Sequence, residues 1–216
     1  MPHSQIPEYR PTPARVYQSD SHNPRIEPVL RLAEICSYQA EHAQHVTRLA
    51  LRLFDELQPL HRLGSEERFW LEAGAILHDI GWIEGWRSHH KTSLRVILST
   101  PMLPFNNKER HVIGSIARYH CKALPSPDHD HYAALLPAER GMVSTLAALL
   151  RLADGLDSTH RGLVKDLACD VTPANVTIKC KVHKPAREDR MTALEKADLF
   201  EQVFGRKVLV KWHVKK

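Results

Sequence analysis

The sequence predicts a mainly α protein, with a helical bundle over residues 23–162 followed by a small, basic α+β subdomain of order β-β-α-β over 163–216. Two patterns carry that expectation. Apolar residues recur at helical spacing through the first three quarters of the chain, and beyond Leu163 they give way to β-branched alternation. A third observation bounds it: no apolar stretch approaches the roughly 20 residues a membrane-spanning helix needs, and the N-terminus lacks an apolar signal core. A cytoplasmic protein with no membrane partner is therefore expected.

Residues 1–22 carry Pro2, Pro7, Pro11 and Pro13 with little periodicity, and read as an extended or disordered arm. Asn23-Pro24 offers an N-cap and a proline at the first helical position, opening a helix to about Ser37. Val46, Leu49, Ala50, Leu53, Phe54 and Leu57 place a longer helix over about Gln39–Gln58. After Gly64-Ser65 a third helix covers about Glu66–His78. Ser88 is a cap for a helix to about Leu98, stopped by Pro101. Asn106 with Glu109 makes a capping box before a helix to about His120, and Pro137 opens a long helix ending near Asp157. Between these last two, Pro125–His131 reads as a polar loop. In the last quarter, Val171–Val182 alternates around a Pro-Ala-Asn turn, Thr192–Phe204 is helix-like with Gly205 as its stop, and Lys207–Val214 alternates again.

Composition narrows the function classes. The four cysteines, Cys36, Cys121, Cys169 and Cys180, form no CxxC pair and are too sparse for a disulfide framework, so they are expected to be reduced thiols. Residues 1–162 hold 18 Lys/Arg against 18 Asp/Glu, while residues 163–216 hold 12 against 7, so the whole net charge of +5 lies in the tail. Such a tail attracts polyanions. No nucleic-acid motif or aromatic interleaving accompanies it, and nucleic acid is not an expected partner.

The 15 histidines matter more for their positions than for their number. His78-Asp79 closes the apolar run Ala75-Ile76-Leu77, where an imidazole and a carboxylate are costly to bury without partners and a divalent cation would satisfy both. Successive residues on a helix turn by about 100°, which sorts the remaining histidines by face. On that basis His42 points inward with Val46, Leu49 and Leu53, whereas His45 does not. His90 lies with Leu94, Ile97 and Leu98, while His89 falls off that face. His120 shares a stripe with Ile113, Ile116 and Ala117. A lone inward histidine is ordinarily a core residue; three such helices converging with His78-Asp79 and a carboxylate near residue 154 suggest a shared metal centre. For that last carboxylate, periodicity alone favours Asp157 over Asp154.

The ordered set His42, His78-Asp79, His90, His120, Asp154 resembles the H…HD…H…H…D pattern of the HD superfamily of metal-dependent phosphohydrolases. More closely, Glu41-His42, Leu77-His78-Asp79-Ile80-Gly81, His89-His90-Lys91, Arg118-Tyr119-His120 and Arg151-Leu152-Ala153-Asp154-Gly155 resemble the C-terminal part of the exopolyphosphatase/guanosine pentaphosphate phosphatase (Ppx/GppA) family, over about residues 30–214. The family's N-terminal actin-like domains, which carry its exopolyphosphatase chemistry, have no counterpart in these 216 residues.

The resemblance implies an HD-domain helical bundle and selects Asp154 as the closing ligand. His42, His78, Asp79 and Asp154 would hold one metal; His90 and His120 would complete a second site, with Asp79 bridging. Mixed imidazole and carboxylate ligation suits Mn, Fe, Co, Ni or Zn, as one or two ions, with Mg also admissible. The implied reaction is attack of a metal-activated water on phosphorus, with Asp79 accepting the proton. Lys91, Arg118, Lys122 and Arg151 each lie within a few residues of a candidate ligand and are the candidates to clamp further phosphate charge. A phosphate-containing small molecule or polyphosphate is the expected partner, and the chain is compatible with a homodimer. The competing expectation is a non-catalytic polyanion-binding or regulatory module.

Overall fold

A computed structural model describes residues 23–214 of the chain. The expected N-terminal arm, and Lys215 and Lys216, lie outside the described residues. The elements run α1 (Ile26–Ile35), α2 (Ala40–Glu56), a single turn α3 (Gln58–His61), α4 (Ser65–Ile76), a 3₁₀ turn (Ile80–Glu84), α5 (His89–Ser99), α6 (Asn107–Arg118), a single turn α7 (Asp130–Ala133) and α8 (Pro137–Gly155). They continue with β1 (Val164–Val171), β2 (Asn175–Val182), α9 (Arg187–Glu195), α10 (Asp198–Phe204) and β3 (Lys207–Val214). The fold is mainly α with a small C-terminal α+β part.

Local chemistry explains the boundaries. The Asn106 side chain accepts from the Glu109 amide at 3.0 Å while Glu109 takes the Asn106 amide at 2.9 Å, closing the capping box that starts α6. Asn23 caps a turn rather than the helix itself: its side chain accepts from the Arg25 amide at 3.0 Å, and α1 begins at Ile26. The expected helix over Thr192–Phe204 is two helices broken at Lys196-Ala197, the first beginning at Arg187. Asp198 restarts the chain, its side chain accepting from the Leu199 amide at 2.8 Å, and Gly205, at φ 62°, ends α10. The polar loop before α8 contains α7, whose Tyr132 is buried and donates to the Arg140 carbonyl.

Helices α2, α4, α6 and α8 pack on one another, with α5 against α6 and α9 and α10 against α8. The sheet has the order β1-β2-β3, antiparallel between β1 and β2 and parallel between β2 and β3. Val176, Ile178, Cys180 and Val182 alternate inward along the central strand. The outer edge of β1 is closed by α2. Arg48 donates to the carbonyls of Val164 and Lys165, Arg52 to that of Leu167, and Glu56 accepts from the Cys169 amide. Four residues of helix and two of strand both advance about 6 Å, so every turn of α2 meets the next free backbone group of β1. The arrangement covers an edge that would otherwise be open to another strand. One apolar cluster runs from Val29 and Leu49 in the bundle to Ile178 and Phe200.

Candidate metal centre

The centre lies where helix ends meet. His78 and Asp79 follow the last turn of α4, His120 follows α6, and Asp154 is in the last turn of α8; His42 and His89 stand in the first turns of α2 and α5. Three helix C-termini, with their partial negative charge, therefore contribute residues to one locus, which favours a cation there.

Each ring is held by its outer nitrogen. His78 Nδ1 donates to the Ala75 carbonyl at 2.7 Å, and His120 Nδ1 to the Ala117 carbonyl at 2.7 Å, so the same device is used twice: an imidazole takes up a carbonyl left free at a helix end. His89 Nδ1 donates to the Trp86 carbonyl at 2.9 Å, and His42 Nδ1 lies 2.8 Å from Asp157 Oδ2. Since these partners only accept, the proton sits on Nδ1 of each neutral ring, and all four Nε2 atoms are available as ligands. His160 stacks on the His42 ring at 3.6 Å.

Around the two carboxylates the Nε2 atoms form two groups. His42 Nε2 lies 3.4 Å from Asp154 Oδ1 and 4.0 Å from Asp79 Oδ2, and His78 Nε2 lies 3.4 Å from Asp79 Oδ2 and 3.9 Å from Asp154 Oδ1. On the other side Asp79 Oδ1 is 3.2 Å from His89 Nε2 and 3.4 Å from His120 Nε2. Asp79 thus turns one oxygen to each group. These separations exceed the 2.7–2.9 Å of charge-assisted hydrogen bonds and resemble the edges of a coordination shell. Among the described residues, His42 Nε2, His78 Nε2 and Asp79 Oδ1 are buried without a hydrogen-bond partner. Buried polar atoms are costly in that state, and a cation is the group that would satisfy all three; the donor set fits a divalent transition metal.

The electrostatics agree. Burial alone would lower His42, but the carboxylates of Asp154 and Asp157 outweigh it and hold the ring at about 9. Burial is likewise overcome at His89, where Asp79, Cys121 and the Trp86 carbonyl raise the ring to about 10. Asp79 and Asp154 stay well below the usual carboxylate range despite their burial, the first beside His78, His89 and His120, the second beside Lys196 and His42. Without a metal, protons on the imidazoles supply the positive charge the two carboxylates require.

The chain around Asp79 is pinned. Ser93 Oγ donates to the His78 carbonyl at 2.7 Å and accepts from the Gly81 amide at 2.9 Å. At Gly81 a Cβ would sit 2.0 Å from the His89 carbonyl oxygen, so only glycine lets the turn approach α5 this closely.

Of the residues expected from sequence, His42, His78, Asp79, His120 and Asp154 converge. His89, not His90, faces Asp79. His90 is buried as its helical stripe requires, but the centre lies beyond the end of α5 rather than beneath that stripe; burial and the neighbouring Arg118 push its ring down to about 4. Asp154 and Asp157 are both used, on opposite edges of His42. Arg151 is committed elsewhere: its guanidinium spans both oxygens of Asp198 and donates to the Tyr119 carbonyl. Arg118 is buried with Nη1 unpartnered among the described residues, whereas Lys91 and Lys122 are exposed. Lys196, 42 residues beyond Asp154, forms an ion pair with Asp154 Oδ2. No local sequence signal marks that contact, because the close fit of Gly155 against Ala193 is what brings α9 to α8.

Among the described residues no helix is long and apolar enough to cross a membrane. In comparisons with known proteins, the family described as Ppx/GppA phosphatase, domain III, matches residues 25–202. A guanosine-5'-triphosphate,3'-diphosphate pyrophosphatase of Pseudoalteromonas atlantica is 30% identical over 118 residues, which are 53% of this chain and 22% of that protein. The chain thus aligns with about a fifth of the length of the curated relative. Because the family match runs through the bundle, the candidate centre and most of the C-terminal part, this chain belongs to the Ppx/GppA phosphatase family, in the region described as domain III.

Proposed function

We propose that this chain is a metal-dependent phosphohydrolase of the HD superfamily type, acting on a guanosine polyphosphate, a related nucleotide or inorganic polyphosphate. The observation that carries the reading is the set of buried, unpartnered donors His42 Nε2, His78 Nε2 and Asp79 Oδ1 gathered about two carboxylates. A scaffold that only packed would be expected to pair or replace such groups. The relative's name supports the guanosine polyphosphate class.

A divalent metal at this centre would supply a water of lowered pKa and would offset phosphoryl charge. The protein's part is to hold the ligands. Ala75, Ala117, Trp86 and Asp157 orient the four rings, and Asp79, split between two groups of histidines, is the carboxylate best placed to accept a proton. Arg118 is a buried cation without a carboxylate partner among the described residues, and it is the side chain best suited to phosphate charge. Lys196 balances Asp154 from the outside.

The test is phosphate release by the chelated and the metal-reconstituted protein from guanosine-5'-triphosphate,3'-diphosphate, mononucleotides, cyclic nucleotides and polyphosphate. Hydrolysis that requires a transition metal and vanishes in Asp79→Ala is expected. Metal-loaded protein that is inert across the panel, yet binds polyphosphate through the exposed Lys207 and Lys211 of β3, would replace the enzyme reading with a polyanion-binding module.

A further inference from the structure

We propose that Cys121 is a ligand of the second cation position, where its thiolate joins His89, His120 and Asp79 in a donor set of two nitrogens, one sulfur and one oxygen. The proposal rests on reading the centre as metal-binding, and it goes further by naming a ligand and a preference among metals.

His89 Nε2 is 3.1 Å from His120 Nε2, 3.2 Å from Asp79 Oδ1 and 3.8 Å from Cys121 Sγ, and His120 Nε2 is 3.4 Å from the same Asp79 oxygen. The donor atoms of His89, His120 and Cys121 all lie within 4.8 Å of one another. Tetrahedral bonds of about 2.0–2.1 Å to nitrogen and oxygen and about 2.3 Å to sulfur imply edges of roughly 3.3 Å between N or O atoms and about 3.6 Å from N to S. These four separations follow those edges; the sulfur closes on the two histidines, and Asp79 Oδ1 meets the group through its approach to both rings. A thiol alone would carry no such argument. The independent observation is Asp79 Oδ1, on a residue only 9% exposed, which has no hydrogen-bond partner among the described residues and faces the two histidines next to this sulfur.

The backbone sets up the geometry. Cys121 follows His120 just beyond the end of α6, and Lys122 directly after it stands at φ 62° in the left-handed region. The thiol is half-buried, open enough for an ion to reach. Binding forms a metal–sulfur bond and breaks the S–H bond, with the proton passing to solvent. A soft sulfur donor strengthens the preference for zinc, cobalt or iron over magnesium beyond what the imidazole and carboxylate donors of the first position give.

The test is cobalt(II) titration of the whole chain under a phosphine reductant, followed by absorption spectroscopy. A thiolate-to-cobalt charge-transfer band in the near ultraviolet is expected. Cys121→Ser should remove it while leaving visible cobalt bands from the first position, and Cys169→Ser in β1 should keep it. Cobalt that binds without any charge-transfer band, or a band that survives Cys121→Ser, overturns the sulfur ligand and leaves the metal reading of His42, His78, Asp79 and Asp154 intact. A protein that binds no cobalt at all overturns both.

Discussion

Asp157 engages the Nδ1 edge of His42 at 2.8 Å and so turns the opposite edge of the ring toward Asp154, 3.4 Å away. Two carboxylates three residues apart on one helix end thereby serve one imidazole in different ways. Asp154 shares its face of the centre with His42 and His78, while Asp157 also accepts from the Gly162 amide and fixes the ring. Asp157→Asn is expected to weaken metal binding about 10- to 100-fold, the usual cost of losing a partner that orients a ligand, whereas Asp154→Ala should abolish binding at the first position. Calorimetric titration with manganese or zinc measures both; equal losses in the two variants would contradict the division of roles.

The neighbours His89 and His90 give a second expectation. Only His89 reaches Asp79, so His89→Ala should lose one equivalent of bound metal, while His90→Ala should keep the stoichiometry of the parent. Metal content by elemental analysis after dialysis decides between them. Loss of an equivalent in His90→Ala with retention in His89→Ala would return the ligand role to His90.

Much of the centre is legible in sequence, for physical reasons that also explain the gaps. His42 and His120 sit on apolar stripes, and His78-Asp79 ends an apolar run, so burial of their polar groups can be read from spacing alone. His89 cannot be read that way. Its position depends on where α5 begins, just after Ser88 at φ 58°, and a helix wheel says nothing about residues that act off a helix end. Lys196 and Cys121 contribute through tertiary proximity, and Asp157 through the outer edge of a ring. In the C-terminal part, β2 alternates cleanly, but β1 has an irregularity between Val164 and Asp166 that blurs its start. Helices α9 and α10 read as one because the break at Lys196-Ala197 contains neither glycine nor proline.

The protonation of the rings sets a pH dependence. His42 at about 9 and His89 at about 10 are raised above the ordinary 6.5 of a free imidazole, so the folded metal-free protein binds more protons than the unfolded chain across that interval. The stability contributed by these two rings is full below pH 6.5 and is lost as pH rises through about 9 to 10. A cation must displace the same protons, so metal affinity should rise over this range with release of protons. Melting temperatures of the chelated protein at several pH values, with calorimetry in two buffers of different ionisation enthalpy, check both. A flat melting profile together with binding that releases no protons would contradict the assignment.

Gly81 should be the most sensitive glycine. A Cβ there meets the His89 carbonyl oxygen at 2.0 Å and the Ser93 amide at 2.7 Å, both backbone atoms that cannot turn aside. Gly81→Ala is expected to cost about 1–3 kcal/mol and to loosen His89 from Asp79. Gly141→Ala in α8, where a Cβ meets nothing within 4 Å, should be neutral or slightly stabilising by about 0.5–1 kcal/mol. Denaturant unfolding of the two variants measures the contrast, and equal stabilities would refute the close approach of the turn to α5.

Binding of divalent metal by the convergent imidazoles and carboxylates is read out without ambiguity by anomalous diffraction from crystals grown with zinc. A peak is expected about 2.0–2.2 Å from His42 Nε2, His78 Nε2, Asp79 and Asp154, with a second peak roughly 3.5–4 Å away beside His89 and His120. Well-ordered His42, His78, Asp79 and Asp154 with no anomalous density between them, in crystals saturated with the metal, would contradict it.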